Sequence, residues 1–195
     1  MSRVKEGEYA RKAIHYSASL IPLLYYFLFS RSLMLWLTGG SFVLMIVAEL
    51  ARLLYPKYYH IYLRFFGWMI RSYEKKKYLT GATYVFLGSF LSIFFFTKNI
   101  AVISLLFVTI GDPTACLAGL SFGNIKLPGS EKTLEGSISF ILAGLLATFW
   151  IPEISILEKA LGGSLAAMIE YMPFKKFDDN LMIPIITGTF LQIIS

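Results

Sequence analysis

Long apolar runs separated by short polar segments dominate the chain. Seven runs predict membrane-spanning helices, and they cover residues 14–29, 33–55, 80–96, 100–120, 137–150, 157–172 and 180–194. Most approach the roughly 17–25 residues that a helix needs to cross a bilayer. The last three are short, so we expect tilt or local thinning of the membrane there. The pattern predicts an all-α integral membrane protein, with residues 1–195 forming a single polytopic domain.

One further helix is predicted outside the spans, within residues 57–77. His60, Arg64, Gly67 and Arg71 share one face of this helix, and aromatic and apolar side chains cover the rest. An apolar helix with a basic stripe is typical of the membrane interface. Two roles remain open for it: a cytoplasmic lid that anchors the bundle, or a surface that gathers lipid.

Composition and charge strengthen the membrane interpretation. Hydrophobic residues make up 56% of the chain, which is more than a soluble domain of this size can bury. Fifteen of the 18 Lys and Arg residues lie in the N-terminus and in alternate loops. Basic residues stay on the cytoplasmic side, so we expect a cytoplasmic N-terminus, an outer C-terminus and the inner (cell) membrane of a prokaryote. The net charge of +6 then reflects topology and anionic membrane lipids, not nucleic acid.

A carboxylate interrupts the fourth apolar run. Gly111, Asp112 and Pro113 predict a helix break near mid-span, with Asp112 as the N-cap and Pro113 in the first turn of a new helix. A charge at that depth costs about 3 kcal/mol on insertion scales, so an ionisable residue there is a functional candidate. The structural alternative is a cap that only kinks the helix.

The loop that follows, residues 121–136, combines glycines, lysines and hydroxyls. Glycines leave backbone N–H groups open to a polyphosphate, lysines supply charge, and hydroxyls bind phosphate or metal-bound water. The loop has no Walker A pattern. Next to an intramembrane Asp, it predicts a cytoplasmic nucleotide-binding loop and a Mg²⁺–nucleotide site, because Mg²⁺ favours one or two carboxylates plus phosphate oxygens.

Other polar residues are predicted on the same side of the membrane. These are Arg11, Lys12 and His15 at the first span, Glu49 and Arg52 at the second, Glu170 at the sixth, and Asp178, Asp179 and Asn180 at the seventh. Each has a structural alternative. The basic residues serve as topology charges, Glu49 and Arg52 form an ion pair, and the Asp pair caps a helix.

Four sequence blocks resemble the CTP-dependent polyprenol kinase family, which contains dolichol kinases, phytol kinases and yeast-type diacylglycerol kinase. The blocks are "RKAIHY", "LTGATYVFLG", "GDPTACLAGLSFG" with the following "EKTLEGS", and "FDDNLMIPIITG". The resemblance implies a multi-span membrane enzyme that transfers the CTP γ-phosphate to a lipid alcohol. Its nucleotide region corresponds here to Asp112, Gly119, Gly123, Lys126, Lys132, Glu135, Gly136 and Ser137.

The resulting hypothesis gives each candidate residue a role. The catalytic residues are Asp112, Lys132 and Glu135; the nucleotide-binding residues are Gly119, Gly123, Lys126, Lys132, Thr133, Gly136 and Ser137; the Mg²⁺ ligands are Asp112, Asp178 and Asp179; the acceptor-lipid residues are Arg11, His15 and Glu49. Asp112 is expected mainly as a metal ligand, with the role of base as the lesser option. Glu135 and the Asp pair are candidates for the base or for a second metal contact.

Three alternatives are weighed against the kinase. A CDP-lipid synthase of the phosphatidate cytidylyltransferase type shares a similar core, but its H-G-G-x-x-D-R signature is absent. An ion-coupled transporter predicts inverted halves, and none is discernible. A scaffold leaves the Gly/Lys loop without a purpose. The identity of the lipid alcohol stays open, and CTP over ATP rests on the resemblance alone. A homo-oligomer is also left open, because Gly162, Gly163, Ala166 and Ala167 allow close helix contact.

Overall fold

The computed structural model describes residues 3–67, 78–172 and 178–195, and it is an all-α structure. The helices are α1 (Arg3–Ser17), α2 (Leu20–Phe27), α3 (Arg31–Leu54), α4 (Pro56–Phe66), α5 (Gly81–Phe95), α6 (Lys98–Leu106), α7 (Asp112–Phe122), α8 (Leu134–Thr148), α9 (Ile156–Tyr171) and α10 (Asp179–Ile194). A π-helical turn, Phe107–Gly111, joins α6 to α7. The all-α prediction is confirmed for the described residues.

The first predicted span is two helices rather than one. α1 ends at Ser17 and α2 begins at Leu20. Pro22 lies in the first turn of α2, where backbone N–H groups have no partner within the helix, so proline is tolerated there. The hydroxyl of Ser19 donates to the carbonyl of Tyr16 at 2.7 Å and closes the end of α1. The charged half of this region therefore becomes a separate helix.

The predicted break at Asp112 is wrong. α6, the π-helical turn and α7 follow one another without interruption from Lys98 to Phe122, and we call this unit the central helix. Asp112 is not an N-cap, because its backbone is helical at φ −59° and ψ −49°. A π turn shifts the hydrogen-bond register by one residue, which suits the proline that follows, since Pro113 has no N–H to donate.

The central helix forms the core of the bundle. Its most apolar stretch is 78% buried, against 17% for α3, which lies at the periphery. α8, α9 and α10 pack around it, α5 packs on α10, and α3 packs on α5. Two glycines permit the closest approach: a Cβ at Gly144 would lie 2.5 Å from the ring of Phe107, and one at Gly162 would lie 2.9 Å from Leu191.

The small residues that left a homo-oligomer open are used inside the chain. Gly162 packs on Leu191 of α10 and Gly163 on Phe107 of the central helix. Ala166 and Ala167 are buried. These four residues pack α9 against the other helices of the same chain, so they are not evidence for a homo-oligomer.

Apolar side chains cover much of the outer surface. Trp36, Leu44, Leu146 and Ile193 are each at least 71% exposed. Large exposed apolar areas of this kind mark a membrane or partner surface. Two helices of the described chain, Arg31–Leu54 and Lys98–Phe122, are long and apolar enough to cross a membrane. Three shorter apolar helices, Gly81–Phe95, Leu134–Thr148 and Asp179–Ile194, coincide with predicted spans.

Charged residues separate between the two ends of the bundle. At one end, Arg31 Nε donates to the carbonyl of Ile93 at 3.1 Å, and Lys98 lies 5.6 Å from the ring centre of Tyr25. The other end holds the charged residues of α1, α7 and α10. The predicted interfacial helix begins as α4, none of whose residues is buried. Its remainder, residues 68–77, lies outside the described residues, as do residues 173–177 of the last predicted basic loop.

Candidate active site

Asp112 binds two residues of α1. Lys12 Nζ donates to Asp112 Oδ2 at 2.7 Å, and His15 Nδ1 lies 2.9 Å from the same oxygen. Lys12 and His15 are three residues apart and therefore share a face of α1. All three side chains are largely buried, with 7%, 10% and 12% of Lys12, His15 and Asp112 exposed. We call these three residues the charged cluster.

A neighbouring contact fixes α1 on the central helix. Tyr16 Oη and Thr114 Oγ1 are 2.8 Å apart. Thr114 already donates its hydroxyl proton to the carbonyl of Ile110 at 2.6 Å, so Tyr16 is the donor in this pair. The contact lies one residue beyond His15, and it orients the side chains of the charged cluster.

The charged cluster opens onto a cavity of about 750 Å³. Ligand sites typically measure roughly 300–1,000 Å³. Its polar end is lined by Arg11, Lys12, His15, Asp112, Asp178 and Asp179. Its other walls are mainly apolar and come from α1, α2, α3, α4 and α5, with Ile21, Met45, Phe66 and Val85 among them. An amphiphilic molecule with a polar head and an apolar chain matches this distribution.

Residues at the start of α10 bring acids to the cavity. Asp178 Oδ1 accepts from the backbone N–H of Asn180 at 3.0 Å and from its side-chain amide at 2.6 Å, so Asp178 caps α10. Asp179 follows Asp178 and interacts electrostatically with three other carboxylates, those of Asp112, Asp178 and Glu170. Gly88 lets α5 pack closely here, because a Cβ would lie 2.5 Å from the carbonyl oxygen of Asn180.

Lys132 joins the loop to these acids. Its Nζ lies 2.7 Å from Glu170 Oε1 and 3.8 Å from Asp179 Oδ2, and it also donates to the carbonyl of Glu170. Two carboxylates from α9 and α10 thus share one ammonium group. Lys132 remains 35% exposed and can be reached from the solvent.

Several backbone and side-chain groups of the loop already have partners within the protein. Glu135 accepts from the N–H groups of Asn124 and Ile125 at 3.0 and 3.2 Å. Bonds to its own backbone N–H and to that of Asn124 hold the pKa of the Glu135 carboxyl below its ordinary value. Lys126 pairs with Glu131 at 2.5 Å on the exposed side of the loop, and Tyr171 Oη donates to the carbonyl of Pro128. These contacts engage the backbone N–H groups of Asn124 and Ile125 and the side chain of Lys126 within the protein.

The predicted nucleotide-binding glycines surround Thr133. A Cβ at Gly123 would lie 2.6 Å from Thr133 Oγ1, and one at Gly119 would lie 3.0 Å from it. A Cβ at Gly136 would lie 2.9 Å from the carbonyl oxygen of Ala115. Thr133 itself caps α8 by accepting from the N–H of Gly136 at 3.2 Å, and Ser137 N donates to its carbonyl. The glycines thus allow α7 and α8 to pack tightly.

Glu49 is buried away from the cavity lining. Arg52 Nε donates to Glu49 Oε2 at 2.8 Å, and the hydroxyl of Thr80 donates to Oε1 at 2.6 Å. Arg52 also donates to the carbonyl of Tyr78 at 2.8 Å. This network fastens α3 to the segment that leads into α5. Of the three predicted acceptor-lipid residues, the structure brings Arg11 and His15 to the cavity and Glu49 to this network.

Magnesium does not fit all three of its predicted ligands equally. Among residues 3–67, 78–172 and 178–195, no three His, Cys, Asp or Glu side chains form a metal-binding group. Oδ2 of Asp112 already binds Lys12 and His15, and a cation on that oxygen would have to displace both. A metal ligand role for Asp112 would therefore use its other oxygen, Oδ1. Asp178 and Asp179 remain suitable, because two carboxylates suffice when phosphate oxygens complete the coordination.

Two members of the site were not among the predicted site residues. The sequence places Lys12 among the polar residues on the cytoplasmic side, with a topology charge as the alternative, although it lies three residues before His15. Glu170 was noted only for its position at the end of a predicted span. The sequence feature that points to both residues is a charge in or next to an apolar run, because a charge there needs a partner.

The fold and the cavity define a helical membrane protein with a charged site at the polar end of an apolar pocket. No family model and no solved structure matches the chain. The chain is 27% identical to CTP-dependent diacylglycerol kinase 1 of Saccharomyces cerevisiae, over 97% of this chain and 74% of that protein. It is 24% identical to the Schizosaccharomyces pombe protein of the same name, over 97% and 94%. It is 29% identical to probable phytol kinase 1, chloroplastic, of Glycine max, over 56% and 42%. These similarities confirm the predicted resemblance to the CTP-dependent polyprenol kinase family.

Proposed function

We propose that the chain transfers the γ-phosphate of CTP to the hydroxyl group of a membrane lipid alcohol. The observation that carries the proposal is the charged cluster at the polar end of a largely apolar cavity. Such a cavity accepts the hydrocarbon chain of a lipid and holds its hydroxyl beside Asp112 and His15. The relatives named as CTP-dependent diacylglycerol kinases support the same reaction. They do not favour a CDP-lipid synthase or a transporter.

Basic side chains would hold the triphosphate. Phosphoryl transfer asks a protein mainly for positioning and for neutralisation of charge. Lys132 lies between Glu170 and Asp179 and is partly exposed, so it can exchange one carboxylate for a phosphate oxygen. Arg11 and Lys12 reach the polar end of the cavity from α1. Lys126 lies further out, paired with Glu131, and would meet the nucleotide after leaving that exposed pair.

Asp178 and Asp179 would hold Mg²⁺ together with the phosphate oxygens. The metal would supply neutralisation of the triphosphate charge when it is bound. Asp178 keeps its capping bonds to Asn180 through Oδ1, which fixes the pair at the mouth of the cavity. Thr133, Gly119, Gly123, Gly136 and Ser137 would act indirectly, by holding α7 against α8 beneath the loop.

The orientation follows from charge. We propose that the end of the bundle that holds the charged cluster and Lys132 faces the cytoplasm, where CTP is found. Fifteen of the 18 basic residues lie in the segments predicted on that side. Diacylglycerol is the first acceptor to test, since relatives named for it match nearly the whole chain, and phytol is the second.

A labelling assay tests the function. The full chain in mixed micelles is given [γ-³²P]CTP, Mg²⁺ and one acceptor at a time: diacylglycerol, phytol or a polyprenol. Labelled lipid monophosphate and CDP are the expected products. A CDP-lipid and pyrophosphate would instead identify a cytidylyltransferase, and absence of any labelled lipid with every acceptor would refute the kinase. Replacement of CTP by ATP in a matched sample tests the nucleotide.

A further inference from the structure

His15 presents a buried nitrogen that the described residues leave without a partner. Its Nδ1 lies 2.9 Å from Asp112 Oδ2, whereas its Nε2 is buried and has no hydrogen-bond partner among residues 3–67, 78–172 and 178–195. The side chain is 10% exposed and lines the cavity. A buried polar atom without a partner costs free energy, so a ligand group is the expected partner of Nε2.

The contact with Asp112 determines what kind of group Nε2 is. A carboxylate oxygen can only accept, so the bond places a proton on Nδ1. In the neutral imidazole the other nitrogen then carries a lone pair. Lys12 also donates to Asp112 Oδ2, so both α1 side chains bind the same carboxylate oxygen. Nε2 is thus a buried acceptor on a side chain that lines the polar end of the cavity.

We propose that His15 Nε2 is the general base that receives the proton of the acceptor hydroxyl, while Asp112 orients the ring through Nδ1. This inference rests on the proposed function. It gives the role of base to a residue that the sequence motifs assigned only to binding of the acceptor. Glu135 then has a structural role in the loop, where its carboxylate accepts from the N–H groups of Asn124 and Ile125.

The step balances as a proton transfer coupled to phosphoryl transfer. The O–H bond of the lipid alcohol breaks and its proton moves to Nε2. The hydroxyl oxygen forms a bond to the γ-phosphorus of CTP, and the bond from that phosphorus to the bridging oxygen of the β-phosphate breaks. The electron pair leaves with CDP. Asp112 stabilises the resulting imidazolium, which returns its proton to water after the product departs.

One substitution separates this role from a structural one. Asn at position 15 keeps an amide N–H near the place of Nδ1 and can still donate to Asp112, but it has no counterpart of Nε2. We expect His15→Asn to lower kcat at least ~100-fold, the lower range for a general base. Its KM for CTP and its thermal unfolding should stay close to those of the unmodified chain. Glu153→Gln, in the exposed segment between α8 and α9, is the control and should change nothing.

A second variant covers the case in which His15→Asn does not fold. His15→Ala leaves space for a free imidazole molecule. Imidazole in the assay is expected to raise the activity of His15→Ala at least ~10-fold over the activity without imidazole. His15→Asn with kcat within about threefold of the unmodified chain would overturn the proposal, and so would His15→Ala that imidazole does not rescue. An inactive unmodified chain with every acceptor would instead refute the proposed function itself.

Discussion

Lys12 Nζ and Asp112 Oδ2 are 2.7 Å apart, although a hundred residues of sequence separate them. The pair joins α1 to the central helix, and both side chains are nearly buried. A buried charge needs its partner far more than an exposed one does. The same contact therefore fixes the position of α1 and sets the charge at the polar end of the cavity.

The first prediction concerns the stability of that pair. Lys12→Met or Asp112→Asn alone leaves a buried polar group without its partner, and we expect each to lower the free energy of unfolding by about 3–5 kcal/mol. The double variant should lose less than the sum of the two. Thermal or denaturant unfolding in detergent measures this cycle. Glu131→Gln, in the exposed pair with Lys126, is the control and should leave the unfolding midpoint unchanged. Strictly additive losses would contradict the pairing.

The second prediction concerns activity. Asp112→Asn removes the negative charge that holds Lys12 and the His15 ring, so transfer of labelled phosphate should fall at least ~100-fold. Circular dichroism at the assay temperature checks that the helices persist. Glu153→Gln is the matched control, because Glu153 is an exposed acid in the segment between α8 and α9. Near-normal turnover by folded Asp112→Asn would remove Asp112 from the reaction.

The third prediction concerns the packing of α7 on α8. Gly123→Ala places a methyl group 2.6 Å from Thr133 Oγ1, and we expect a loss of about 1–3 kcal/mol in stability. Gly40→Ala, also within a helix, meets nothing within 4 Å and should be neutral or stabilise the protein by about 0.5–1 kcal/mol. Unfolding midpoints of the two variants compare these effects. Loss of CTP binding by Gly123→Ala with unchanged stability would favour direct phosphate contact instead.

The fourth prediction concerns the loop. Glu135→Ala frees the N–H groups of Asn124 and Ile125, so we expect faster tryptic cleavage after Lys126 and a KM for CTP raised about threefold to tenfold. kcat should change little, because Glu135 does not meet the acceptor in the proposed mechanism. Glu158→Ala removes a comparable bond, to the N–H of Ser155 at the start of α9, and is expected to leave the KM for CTP unchanged. A fall in kcat alone would return a catalytic role to Glu135.

The fifth prediction concerns Glu49. Glu49→Ala leaves Arg52 buried without its carboxylate partner and breaks the contact with Thr80, so stability should fall by about 3–5 kcal/mol. The kcat and the KM for lipid, measured on the folded protein, should stay within about twofold. Unfolding and kinetics on one preparation give both quantities. A raised KM for lipid with unchanged stability would support the acceptor-lipid role instead.

Parts of the site were readable from the chain. Asp112 was identified because a carboxylate in an apolar run is costly, and Asp178 and Asp179 because they precede another run. The role of the glycines was not readable in the same way. In the sequence, a Gly-rich loop is equally consistent with phosphate binding and with close packing of helices. The close packing is visible only in the structure, where Thr133 lies beside Gly119, Gly123 and Gly136.

The apolar pattern of the chain predicts most of the helices and the polar residues that interrupt them, because hydrophobicity and helix propensity are properties of local segments. It does not predict that α1 is separate from α2, that a π turn continues the central helix through Pro113, or that Lys12 and His15 bind one oxygen of Asp112. Ion pairing between distant segments depends on how helices pack, and packing is set by side-chain shape across the whole bundle.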